Sequence, residues 1–353
     1  MSIEMTKLIT RIRKAKHPEM FEDGSGEDEK ERVEDGVELP APGSYDPSMV
    51  SEGVKENEKL TDVDESYPLI PEDPEVGDTV YAWAHIKWDN RAGELVYDVI
   101  EPDMDEETSV ILQEIRNILE RTFDIDFNEI DSGEAEEYLS DKIDMIVEKY
   151  NISLTEKQRE VIRYYTYRDL AGLGKLQPVM NDKEIEDISC DGTDIPVYVY
   201  HRNPKYGSIK TDITWSEEDE LESFVMKLAQ RTGRSLSVSS PLLDGALPDG
   251  SRVNASLTED VTAHGPTFSI RKFQETPFSA VNMMNLGTAN AELMAYMWIL
   301  EQYQQSYLIC GGTATGKTSF LNSVISFIPP EDKIVSIEDT RELRLPHENW
   351  IPS

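Results

Sequence analysis

Hydrophobic positions along the chain change period several times, and each change marks an element. Residues 79–88 carry Val80, Ala82, Trp83, Ala84, Ile86 and Trp88 in a β-rich run, and 94–100 repeat the character with Leu95, Val96, Tyr97, Val99 and Ile100. Asp89-Asn90-Arg91-Ala92-Gly93 between them has turn composition, so two strands are predicted. The period then becomes helical, with Val110, Ile111, Ile115, Ile118 and Leu119 on one stripe. Thr155 and Gln158 have the spacing of a capping box, which predicts a helix through Tyr165. Strands are predicted at 195–201 and 208–215, joined by a turn over 203–207. Ser216 and Asp219 are read as the cap of a helix that turns Leu221, Phe224, Val225 and Leu228 one way. Strands follow at 252–257 and 267–271, then a helix from about Thr288 with Leu293, Met297 and Leu300. The final stretch alternates types. Tyr307-Leu308-Ile309-Cys310 reads as a buried strand, 318–325 as a helix with Leu321, Val324 and Ile325 inward, and 333–337 as a second strand.

A length of 353 residues suits two or three such domains. Composition divides them. Residues 1–60 hold 15 acidic and 9 basic side chains with few aromatics, and read as disordered. Within them Leu8, Ile9 and Ile12 lie among Arg11, Arg13, Lys14 and Lys16; a frayed solvated turn is the preferred reading over an amphipathic helix. The whole chain has 70 Asp and Glu against 34 Lys and Arg, a net charge of −36. Because the excess also covers the segments with cores, it fits a surface adapted to high salt better than a patch for one basic partner. The same charge repels phosphate backbones and disfavours nucleic acid as a ligand. Cys190 and Cys310, far apart and each beside apolar residues, are read as reduced, buried thiols of a cytoplasmic protein. No apolar run reaches the roughly 18 residues of a membrane span, and no signal-peptide core opens the chain.

Gly311-Gly312-Thr313-Ala314-Thr315-Gly316-Lys317-Thr318 fits G-x-x-x-x-G-K-[ST]. Chemistry explains the spacing: glycines let successive N–H groups turn inward, the lysine reaches the β- and γ-phosphates, and the threonine hydroxyl is placed for Mg²⁺. A helix opening at the motif adds its free amides and dipole. ATP with Mg²⁺ is the expected ligand. Glu338, Asp339 and Glu342 follow the strand at 333–337, where in parallel α/β folds ligand groups gather. They are placed either to orient an attacking water and complete the Mg²⁺ shell, or to form a solvated acidic turn; spacing alone leaves both open.

Residues 310–319 together with Ile334-Val335-Ser336-Ile337-Glu338-Asp339-Thr340-Arg341-Glu342-Leu343 resemble the phosphate loop and "Asp box" of the type II/IV secretion system ATPases, the type II secretion system protein E superfamily. The stretches 172–188, 247–253 and 265–273 are similar to that family's upstream parts, and 345–352 to its archaeal pilus and archaellum branch. The resemblance implies an α/β fold with α+β N-terminal domains and a P-loop RecA-like ATPase domain. The expected division is 1–60 acidic and disordered, 61–152 a first α+β domain, 153–285 a second, PAS-like domain with linker, and 286–353 the N-terminal part of the RecA-like domain. The family's Walker B strand and "His box" are expected beyond Ser353, so the chain is read as C-terminally incomplete and His347 receives no catalytic role.

The resemblance also implies a homo-hexameric motor working in the cytoplasm at the inner face of the membrane. Its partner would be a polytopic membrane platform protein of a pilus, archaellum or secretion system. Gly311 to Ser319 would bind the phosphates, with Lys317 also catalytic and Thr318 and Asp339 at the metal. Glu338, or alternatively Glu342, would activate water. Arg252 and Arg271 would contact phosphates, against the plainer reading of ordinary ion pairs; Arg231 and Arg234 are weaker choices. A non-hydrolysing regulator of the same machinery and a nucleic-acid translocase are the competing functions.

Overall fold

The computed structural model describes residues 43–50, 59–122, 132–203, 205–237, 239–257, 265–273, 278–312, 315–338 and 342–353. The readings of 1–42 and 51–58, including the Leu8–Ile12 stretch, lie outside these. The chain forms two compact units. The first takes residues up to Leu243 with Asn254–Ile270, and the second takes Asp244–Val253 with Arg271–Ser353.

In the first unit β4 (Ala82–Asp89) is buried along its first five residues, lying antiparallel to both β2 (Asp64–Ile70) and β5 (Glu94–Ile100). Its hairpin with β5 turns where sequence placed it: Gly93 N–H donates to Asp89 O at 2.8 Å, and the Asp89 carboxylate takes the Arg91 N–H at 2.7 Å. Gly93 has φ 72°, a conformation that costs side chains with a Cβ. β5 then pairs in parallel with β8 (Ser208–Thr211), Val96 opposite Lys210 and Tyr97 opposite Thr211. β8 lies antiparallel to β7 (Tyr198–His201), and β7 to β6 (Ile185–Cys190). With β9 (Leu242–Ala246), β10 (Arg252–Ser256) and β11 (Thr267–Arg271) the order is β2-β4-β5-β8-β7-β6-β11-β10-β9. The sheet is therefore mixed, and strands from both 61–152 and 153–285 share it.

The run predicted as one strand from Thr79 is divided. Thr79–Val80 forms β3, paired with β1 (Gly43–Ser44) from the stretch read as disordered, while Ala82 onward pairs with β2. Tyr81 sits at the change of partner; its hydroxyl donates to Glu160, and its ring stacks on Tyr164 with centroids 5.5 Å apart.

Three helices supply a second core. Ile111, Leu112, Ile115 and Leu119 of α1 (Glu106–Thr122) pack with Ile143, Ile146 and Val147 of α2 (Ser132–Tyr150) and Ile162 of α3 (Glu156–Leu170). The Thr155–Gln158 capping box closes reciprocally, at 3.2 and 3.0 Å. α3 outruns its predicted end at Tyr165 because cations take its last carbonyls. Lys227 Nζ donates to Asp169 O at 2.7 Å, and Arg231 donates to Ala171 O and Gly172 O. After the short α4 (Gln177–Asn181), α5 (Glu218–Arg231) buries Leu221, Phe224, Val225 and Leu228. It has no Ser216 or Asp219 cap: the cap position is Glu217, without a side-chain bond, and Glu218, Asp219 and Glu220 face the dipole instead.

The second unit gathers Met283 of α6 (Ala280–Asn285), Met294 and Met297 of α7 (Ala291–Gln302) and Val324 of α8 (Lys317–Ile325) around Ala289. Asn290 caps α7, accepting the Leu293 N–H at 2.9 Å, which sets the helix so that Leu293 faces outward and Met297 inward. β12 (Ile334–Ser336) runs parallel to β13 (Trp350–Pro352). Residues 307–310 do not form the expected strand. Leu308 is 86% exposed and Cys310 is exposed, not buried; only Cys190 is the core thiol. A strand needs a neighbour to take its amides and carbonyls, and among the described residues none flanks this run. No helix of the described residues is long and apolar enough to cross a membrane.

Candidate nucleotide-binding site

Gly316 ends the glycine-rich loop in the left-handed region, φ 78°, and is the residue from which α8 starts. That angle favours glycine and turns the chain sharply from loop to helix. Phe320 N–H donates to Gly316 O at 2.8 Å as the first bond of the helix. The amides of Lys317, Thr318 and Ser319 therefore precede any intrahelical acceptor and point out of the N-terminus. The loop is closed on itself. Thr315 Oγ1 donates to Gly312 O at 3.0 Å, and the Lys317 ammonium also donates to Gly312 O. A Cβ on Gly311 would stand 2.6 Å from Thr315 Oγ1 and 3.4 Å from Lys317 Cγ, so this closure admits no side chain there. Lys317 rests on a neutral carbonyl; a phosphate oxygen is the stronger acceptor by charge. Thr318 and Ser319 lie half-buried in the first turn. Thr313 and Ala314 are outside the described residues.

β12 delivers Glu338 half-buried, two residues past its end. One carboxylate oxygen, Oε2, accepts the backbone N–H of Glu342 at 2.8 Å and of Leu343 at 2.9 Å. The other, Oε1, is buried without a hydrogen-bond partner among the described residues. Glu342 is exposed and meets Glu338 through its backbone. Asp339 is outside the described residues. Among those described, no group of three or more His, Cys, Asp or Glu is arranged for a metal.

Arg252 is engaged by Asp244 in a forked pair, Nη2 to Oδ2 at 3.1 Å and Nε to Oδ1 at 3.2 Å. Arg271 is the exposed last residue of β11. Arg231 is spent on the end of α3. The Arg234 amide donates to Ala229 O at 3.0 Å behind α5. His347 Nε2 bonds Ile328 O at 2.8 Å.

Sequence reasoning passed over one buried polar residue here. Asn322, on α8, donates from Nδ2 to Glu342 O at 3.0 Å and accepts the Arg344 N–H on Oδ1 at 2.9 Å. The available signal was an asparagine in a helix interior next to Leu321 and Val324, where its helix propensity is poor and a side-chain bond must compensate.

The family model described as Type II/IV secretion system protein matches residues 174–351, half of the chain. The chain belongs to that family. The match spans the motif loop, α8, β12, Glu338 and the 342–344 segment. An uncharacterised protein of Methanocaldococcus jannaschii is 38% identical over 245 residues, 69% of this secretion-family chain and 44% of that protein. Another from the same organism is 39% identical over 177 residues, 50% of this chain and 69% of that one. Thus the chain matches less than half the length of the first of these relatives. The VirB11 ATPase of the Brucella suis type IV secretion system, solved with sulphate, is similar at 20% identity over 50% of this chain and 58% of its own, with a TM-score of 0.27.

Proposed function

We propose that this chain is the ATP-binding and hydrolysing part of a motor ATPase that powers archaeal pilus-like filament assembly or type II/IV secretion. The observation that carries the reading is the loop from Gly311 to Gly316, closed on Gly312 O and opening α8 with three outward amides and Lys317. Family membership and relatives in Methanocaldococcus jannaschii support the context. In this reading the parts are the acidic 1–60 segment, α+β domains at 61–152 and 153–285, and the N-terminal part of a RecA-like domain at 286–353. Such motors work as homo-hexamers on a polytopic membrane platform protein, in the cytoplasm at the membrane's inner face.

The donor set also fits Mg²⁺. This ion keeps several waters and takes few protein oxygens beside substrate phosphates, so a first-turn hydroxyl, that of Thr318, is the kind of ligand expected and no protein cage is required. Asp339 is proposed as the second oxygen from the family resemblance alone. Bound there, the ion would neutralise charge on the phosphates. Gly311 to Ser319 hold the phosphates, Lys317 stabilises the charge developing on them, and Glu338 positions the attacking water, with Glu342 the alternate. Glu338 is preferred because its Oε1 is buried and lacks a described partner, whereas Glu342 is exposed. Arg252 and Arg271 are proposed to reach the phosphates from strand ends.

Mg²⁺-dependent ATP hydrolysis in molar KCl, with Lys317→Ala beside the wild type, tests the function. Hydrolysis that the substitution abolishes supports it; undiminished hydrolysis in the variant sinks it. Binding without hydrolysis, both in this chain and in one extended through the expected Walker B strand and His box, would transfer the assignment to a non-hydrolysing regulator of the same machinery. Hydrolysis in the longer chain alone would keep the motor reading for the whole protein.

A further inference from the structure

Three successive backbone amides, those of Glu342, Leu343 and Arg344, are all taken by two side chains from different elements. Glu338 Oε2 accepts the first two, at 2.8 and 2.9 Å, and Asn322 Oδ1 accepts the third at 2.9 Å. Asn322 also returns a bond, its Nδ2 donating to Glu342 O at 3.0 Å. The segment is thus clasped from both sides. Asn322 belongs to α8, whose first turn carries Lys317 and Thr318; Glu338 follows β12. Asn322 and Ser323 are buried, so the carboxamide has no solvent to fall back on.

We propose that Asn322 is a positioning residue that locks the Glu338 carboxylate to the phosphate-binding helix. This rests on the reading that Glu338 acts on water at the nucleotide. The bonds are arranged for it. Oε2 is occupied by the Glu342 and Leu343 amides, which leaves Oε1, buried and without a partner among the described residues, as the acceptor with a hydrogen bond still to make. Where Oε1 lies then depends on where that segment lies, and Asn322 is what ties the segment to α8. The carboxamide supplies both halves of the tie at this reach, a donor for the Glu342 carbonyl and an acceptor for the Arg344 amide. Aspartate has the same shape, keeps the acceptor, and sets an oxygen against the Glu342 carbonyl. A catalytic group must be held to within a fraction of an ångström, and a single tie to the helix bearing the phosphates does that for Glu338 without touching substrate itself.

The test uses the full chain and a non-hydrolysable ATP analogue with Mg²⁺. In wild type, Asn322→Ala and Asn322→Asp, amide hydrogen exchange at 342–344, analogue affinity and ATP turnover are followed together. Loss of the Arg344 bond speeds its own amide whatever Asn322 does, so Glu342 and Leu343, held by Glu338, carry the decision. In Asn322→Ala their exchange is expected to rise about tenfold, as for losing roughly 1.4 kcal/mol of local protection. Turnover should fall about tenfold or more while KM and analogue affinity stay within about twofold. Asn322→Asp should fall between, which separates positioning from a failure to fold. Unchanged exchange at Glu342 and Leu343, or a turnover loss matched by the loss of analogue affinity, would overturn the proposal. If the wild type binds the analogue without hydrolysing ATP, the exchange result alone decides. A wild type that binds no analogue overturns the nucleotide reading, and this one with it.

Discussion

The Arg344 guanidinium lies 4.2 Å from the centroid of the Phe273 ring, so the segment that Asn322 holds by its backbone also holds, by a side chain, the residues just after β11. The Phe273 N–H donates to Ser251 Oγ at 3.1 Å, and that hydroxyl donates to Asp249 at 2.8 Å. The turn before Arg252 and the segment after Glu338 therefore meet on one aromatic ring within the second unit.

The tightness of that turn is testable at Gly250. It has φ 90°, and a Cβ there would come within 3.2 Å of Phe273 Cγ, closer than an unstrained contact. Gly250→Ala should destabilise the protein by about 1–3 kcal/mol through backbone strain and crowding of the ring. Gly77, at φ 100° with nothing within 4 Å, supplies the comparison, since alanine there meets strain alone. Denaturant unfolding of both variants should show the larger loss at Gly250. Equal losses would mean that the ring gives way.

Local signals were readable and distant ones were not. The Thr155–Gln158 box specified the start of α3, and β11 occupies the predicted 267–271, because capping and alternation are properties of a few adjacent residues. The glycine loop was legible for the same reason. β2 was hidden by Asp64, Glu65 and Pro68, residues poor in strand character that the β4 ladder overrides. The apolar 307–310 misled in the opposite sense, since hydrophobicity suits a strand but a neighbouring strand is what makes one. Asn322 escaped because its partners are backbone atoms some 20 residues away, and no side-chain pattern encodes them.

Glu338→Gln tests the water-positioning role with little change of shape. The amide oxygen can still accept the Glu342 and Leu343 N–H groups, so the loop should persist. The side chain loses its negative charge and with it the ability to accept a proton from water. Turnover should fall by about 10²–10⁴, with analogue affinity unchanged. Glu342→Gln should fall little. The reverse ranking would give the role to Glu342.

Lys227 makes stability depend on pH in the first unit. Burial, with Arg231 adding to it and Asp169 opposing, pushes its pKa down to about 8. In the unfolded chain a lysine titrates near 10.4. Between about 8 and 10.4 the unfolded chain binds a proton the folded one has released, so stability rises with pH across that window. Below 8 both forms carry the proton, and the destabilising contribution is complete. Lys227→Met should remove the rise. Wild type should gain about 1–3 kcal/mol on the variant between pH 7.5 and 10, read by urea unfolding at each pH. Parallel curves would show that Lys227 is solvated in the fold. Above about pH 10 both proteins should weaken, because burial holds the Tyr97 phenol well above its ordinary range while the unfolded phenol ionises.

Arg252 can contact a phosphate only by leaving Asp244, and the energies allow it. Their pair is forked but partly exposed, with Asp244 more so. Such a pair contributes about 0–1 kcal/mol and less in molar salt, where the screening length is about 3 Å; a phosphate offers greater charge. Asp244→Ala should therefore remove one partner that competes with phosphate for the arginine, leaving Mg²⁺-ATP affinity equal or higher with a stability change under about 1 kcal/mol. Arg252→Ala should weaken that affinity about tenfold, roughly one charge-assisted bond, with a similarly small effect on stability. Titration of a fluorescent ATP analogue at two KCl concentrations checks both, because salt should narrow the gap between wild type and Asp244→Ala. If Arg252→Ala binds as wild type does at both concentrations, the residue has no part in holding the phosphates.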